Sequence, residues 1–115
     1  MTPQSDALYL RHMLAALDRV VEATGRVTLD EFNRDWIIQD AIVHELQILG
    51  EAAGRISREF TDQHPEIPWR KVTGLRHKIV HDYFFLDLKV VWDTATLDAP
   101  AVRPIVQALL DRTTE

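Results

Sequence analysis

A chain of 115 residues has room for one hydrophobic core, so residues 1–115 read as a single domain. Hydrophobic residues are 46% and charged residues 27%, the balance of a soluble globule, and no apolar run approaches the roughly 20 residues a membrane span needs. The net charge of −5 argues against general adhesion to nucleic acid or anionic membranes, and the lack of cysteine removes disulfides, thiolate zinc sites and cysteine nucleophiles.

Met1 to Asp6 has neither the basic nor the apolar region of a secretory leader, and a cysteine-free chain suits a reducing, cytoplasmic setting. Ser5 and Asp6 are candidate caps for a first helix. Leu10, Met13, Leu14, Leu17, Val20 and Val21 then recur at steps of three and four, and Gly25 marks that helix's end. Thr28 and Glu31 stand in the reciprocal positions of a capping box and open a short helix or turn through Phe32 to Asp35.

The longest apolar stretch runs from Trp36 to Ile56. Ile42, Leu46, Leu49, Ala53 and Ile56 form its stripe, which Ile38, Ala41, Ile48 and Ala52 widen. So broad a band calls for more than one packing neighbour. Gly50 costs that helix about 1 kcal/mol relative to alanine, which points to a close approach there. Glu51 follows as an acid beside the seam.

The run His64-Pro65-Glu66-Ile67-Pro68-Trp69 breaks the helix, and Pro68 suits the first turn of the next one, predicted from Trp69 to about Asp82. Asp87 is placed to cap a helix containing Leu88, Val91, Trp92 and Ala95. Pro100 is placed to start the last helix, with Val102, Ile105, Val106, Leu109 and Leu110 as its stripe. No strand alternation persists. The expected fold is all-α, a bundle of four long helices and one or two short ones.

Chemistry concentrates in Arg76-His77-Lys78-Ile79-Val80-His81-Asp82-Tyr83. No acid lies between Glu66 and Asp82, while Arg70, Lys71, Arg76 and Lys78 are basic, so an acidic body carries a basic island. Arginine is a permanent cationic fork for phosphate, and histidine moves protons near neutral pH. On one ideal helix Arg76 and His81 point about 140° apart. They could serve one site if His81 lies at the frayed helix end, or if two copies line a cleft in a symmetric dimer.

These residue types fit phosphodiester cleavage of RNA, which carries its own 2′-OH nucleophile. His81 would act as general acid or base and Arg76 would hold the charge at phosphorus, with no metal or other cofactor required. Two other readings stand beside this one. His77 and His81 have the i, i+4 spacing of metal ligands, without an intervening glutamate or an obvious third ligand. Alternatively, Arg76 pairs with Glu51 or Asp40, His81 bonds in the core and Tyr83 packs.

Wider features make the chain resemble the HepT family within the HEPN superfamily of small helical ribonucleases. Arg76 and His81 with Tyr83 match the family's R-x-x-x-x-H-x-Y motif. Phe32, Gln39-Asp40-Ala41, Ile48-Leu49-Gly50-Glu51-Ala52-Ala53, Pro65 to Trp69, Gly74-Leu75 and Val91-Trp92 follow the family's order. His77 departs from it, since asparagine is more usual there. The resemblance implies a homodimer whose two motifs face one cleft, with Arg76 and His81 catalytic; His77, Lys78 and Glu51 are candidate supporting residues read from the sequence itself. It implies a toxin that cuts tRNA or mRNA and is paired with a nucleotidyltransferase antitoxin of the MNT type, which moves AMP from ATP onto Tyr83. A module that only binds or presents itself to such a transferase is the alternative.

Overall fold

A computed structural model of the chain describes residues 3–80 and 87–113. Among these the regular structure is all helical, with no strand. In order run α1 (Pro3–Gly25), α2 (Leu29–Arg34), α3 (Trp36–Arg55), α4 (Arg58–Gln63), α5 (Trp69–Val80), α6 (Leu88–Asp93), a π-helical turn (Thr94–Asp98) and α7 (Ala99–Thr113). The last three join end to end into one rod. Among the described residues the bundle thus has four long helical rods and two short helices, and no described helix is long and apolar enough to cross a membrane.

The core follows the stripes. Leu10, Met13, Leu17 and Val20 of α1 are fully buried against Ile42 and Leu46 of α3 and Val106 and Leu109 of α7. α1 packs on α3 and α7, and α5 packs on α3. Beside α1, the Arg103 guanidinium of α7 reaches Asp18 at 2.6 Å and is held above its usual pKa by that hydrogen bond and charge.

The capping box forms as its spacing predicts. Glu31 N donates to Thr28 Oγ1 at 3.1 Å, and Thr28 N donates to Glu31 Oε1 at 3.0 Å. It aims α2 so that Phe32 is completely enclosed, with its ring 5.0 Å from that of Trp92. Asp35 then caps α3 by accepting from Ile37 N and Ile38 N.

Asp6 is a correction to the sequence reading. The first helix begins at Pro3, so Asp6 lies inside it rather than at its cap. Its buried carboxylate instead accepts from Ser57 N at 2.8 Å and Ser57 Oγ at 2.7 Å. That contact also ends α3 earlier than the break predicted at His64. With its N–H given to Asp6, Ser57 cannot continue the helical ladder, and Ile56 is extended at φ −65, ψ 139. Ser57 Oγ then accepts from Phe60 N and starts α4. In Asp6→Ala, two buried donors lose an ionised acceptor, and unfolding in urea should show a loss of about 2–3 kcal/mol. Unchanged stability would mean water replaces the carboxylate at no cost.

Pro100 falls in the first turn of α7, as expected, and the rod runs on into it from α6 without a break. The join is a π-helical turn, in which Ala99 N–H bonds to Thr94 O, five residues back. A second correction is Ala41, which was expected to broaden the buried stripe of α3 and is exposed. Ile38 and Ile48 are half-buried, and Gly50 and Ala52 are buried.

Candidate functional site

α5 carries the basic island and is oriented at its start by aromatic packing. Trp69 Nε1 donates to His64 O at 2.7 Å, and Phe60 stacks against His64 with ring centroids 4.3 Å apart. Pro68 precedes the helix, and its carbonyl takes the N–H of Val72 at 3.0 Å. The helix then runs unbroken through Gly74 to Val80 and contains no acid. Val72 and Leu75 bury one face, while Arg70, Lys71 and Lys78 are exposed.

The predicted site residues fall as follows. The backbone of Arg76 and His77 lies in the second half of α5; their side chains are outside the described ones. His81 and Tyr83 lie outside the described residues, one and three positions beyond the last residue of α5. Lys78 is exposed. Lys71 has a partner in Asp98, 3.4 Å away.

Glu51 is exposed on α3 and its Oε1 lies 3.3 Å from Arg55 Nη2. The Arg55 guanidinium also bonds to Tyr9, and it is held above its usual pKa first by that bond and then by Glu51. Tyr9 and Arg55 were not singled out by sequence reasoning. They come together only because α1 and α3 pack side by side, which no local pattern announces.

Depressions open on the surface among the described residues. A cleft of about 210 Å³ lies among α1, α3, α5 and the last rod, walled by Leu17, Leu46, Leu49, Val72, Leu75 and Val102. Its polar groups are few, chiefly the Lys71–Asp98 pair and Thr94. Such walls suit apolar contact and offer nothing to move a proton at a phosphate. The second, a groove of about 340 Å³, lies between α1 and α3 and is lined by Tyr9, His12, Glu51 and Arg55 with Leu8 and Ile48. Among the described residues no three of His, Cys, Asp or Glu are grouped to hold a metal ion.

The family described as ribonuclease HepT-like matches residues 13–109. A protein of Thermococcus cleftensis named "Probable ribonuclease HepT" is 36% identical over 95 residues, covering 83% of this chain and 86% of its own length. A candidate RNase of Caldanaerobacter subterraneus subsp. tengcongensis is 29% identical over 104 residues, or 90% of this chain and 93% of that protein. A candidate RNase of Methanocaldococcus jannaschii is 29% identical over 107 residues, 93% of this chain and 98% of its own. No solved structure matches the chain.

Proposed function

Because the chain belongs to the HepT-like ribonuclease family, we propose that it is a metal-independent endoribonuclease, active as a homodimer and acting as the toxin of a toxin–antitoxin pair in the cytoplasm. The supporting observation is α5: an acid-free helix that bears Arg70, Arg76 and Lys78 and leads directly into His81. An acidic protein that binds RNA needs such a local cationic strip, since phosphate attraction supplies most of the sequence-independent affinity.

The chemistry assigned to these residues balances without a cofactor. His81 takes the proton of the 2′-OH or supplies one to the leaving 5′-oxygen. The 2′-oxygen bonds to phosphorus as the P–O5′ bond breaks, giving a 2′,3′-cyclic phosphate and a 5′-hydroxyl. Arg76 holds the extra charge on the phosphoryl oxygens as it develops. Lys78 and His77 hold flanking phosphates, and Glu51 orients the cationic groups beside α3.

Control is assigned to Tyr83 and a nucleotidyltransferase of the MNT type. The phenolic oxygen attacks the α-phosphorus of ATP and pyrophosphate leaves, so Tyr83 gains an AMP. That adds negative charge and bulk two residues from His81, where both repel an RNA phosphate.

End-labelled RNA incubated with the pure protein in excess EDTA tests this reading. Cleavage with cyclic-phosphate ends is expected, and it should stop after treatment with the transferase and ATP, with one or more AMP masses on the Tyr83 peptide. Modification of Tyr83 in a protein that never cuts RNA would instead make the chain a non-catalytic partner of the transferase.

A further inference from the structure

The cleft among α1, α3, α5 and the last rod is a seam between two packed pairs. α5 lies on α3 and α7 lies on α1, and the ion pair of Lys71 with Asp98 crosses the seam at 3.4 Å. Both of those side chains reach solvent, which puts the pair at the mouth. The walls beside it are hydrocarbon, from Leu17, Leu46, Leu49, Leu75 and Val102.

Thr94 is the exception in this lining. It is only 7% exposed. Thr24, Thr61, Thr73, Thr96 and Thr113 each donate the hydroxyl to a carbonyl about one turn back in the helix, and Thr28 uses its own in the cap of α2. The Thr94 hydroxyl lines the cleft and has no hydrogen-bond partner among the described residues. A buried hydroxyl left unbonded costs stability, and native interiors rarely keep one. Water relieves it poorly. A buried water needs about two to four polar partners, and this cleft offers Thr94 and two groups already bonded to each other.

Size and charge narrow the occupant. An apolar space of about 150 Å³ takes up benzene, so a cleft of about 210 Å³ has room for a hydrocarbon body of roughly six carbons. Lys71 and Asp98 neutralise one another at the mouth. A carboxylate would have to displace Asp98, an ammonium would have to displace Lys71, and either charge would be desolvated against leucine and valine. A neutral hydroxyl or amide does neither, and it both donates to and accepts from a threonine.

We propose that the cleft between α5 and the last rod is a binding site for a small neutral amphiphile, a hydrocarbon body bearing one hydroxyl or amide that bonds to Thr94. Such an occupant touches Leu75 of α5 and Val102 of α7 at once, and so ties the helix that carries Arg76 to the rod. The site stands apart from the ribonuclease chemistry and is tested without it.

Hexanol added to the full chain, followed by NMR of the leucine and valine methyls, provides the test. The methyls of Leu46, Leu49, Leu75 and Val102 should shift and saturate, while those of Leu8, in the groove between α1 and α3, should stay. Hexanoate and hexylammonium should bind about tenfold more weakly or worse. Thr94→Val keeps the shape and removes the hydroxyl. It should weaken hexanol about three- to tenfold, yet raise the melting temperature of the free protein. Val102→Phe fills the cleft and should abolish the shifts. No saturable shift with hexanol, equal binding of the three probes, hexanol affinity unchanged in Thr94→Val, or binding that survives in a folded Val102→Phe protein would each overturn the assignment.

Discussion

RNA cleavage by the His81→Ala protein should fall by about 10²–10⁴-fold, the usual share of a positioned acid or base. An imidazole can both give and take a proton near neutral pH, whereas Arg76 and Lys78 keep theirs. Arg76→Ala should cost about 10²–10³-fold by a different route, through lost stabilisation of charge at phosphorus. Arg76→Lys should recover part of that, because a point cation remains while the two-pronged geometry is lost. Neither change should alter helical content or the unfolding midpoint by much. Full activity in both alanine variants, measured on end-labelled RNA with folded protein, would remove these residues from the reaction.

The second large effect is structural. Phe32→Ala should destabilise the protein by about 3–5 kcal/mol, the cost of emptying a site filled by an aromatic ring. Phe32 has no exposed surface and packs its ring on Trp92. It also joins α2 to the last rod, and its carbonyl takes the Gln39 amide at 2.8 Å. Small domains hold only about 5–15 kcal/mol in all, so the variant should melt about 10–20 °C lower. Phe32→Leu keeps most of the volume and should lose far less. A melting curve for Phe32→Ala that overlays the parent would mean α2 is dispensable to the core.

What could be read from the sequence was whatever the chain states locally. The stripes of α1, α3 and the last rod repeat at helical spacing, and Thr28 with Glu31 announces its cap within four residues. The chemistry expected of the motif comes from residue types at close spacing, and His81 and Tyr83 lie outside the described residues. The Asp6–Ser57 contact was not legible, because its partners stand 51 positions apart and meet only when α1 lies on α3. The end of α3 was misplaced for that reason. Ala41 misled because alanine suits either face of a helix and only packing decides.

That turn fixes a phase. With five residues to the hydrogen-bonded step at Thr94–Ala99, the segment ahead of it is rotated relative to the segment behind by about one residue's worth of winding, near 100°. Were the turn to wind as regular α-helix with every residue kept, Trp92 would swing away from Phe32 by that angle while Val102 and Val106 kept their places on α1. The widened turn is therefore what holds Trp92 and Val102 on their separate neighbours, and homologous proteins one residue shorter there should lack the widening and keep both contacts.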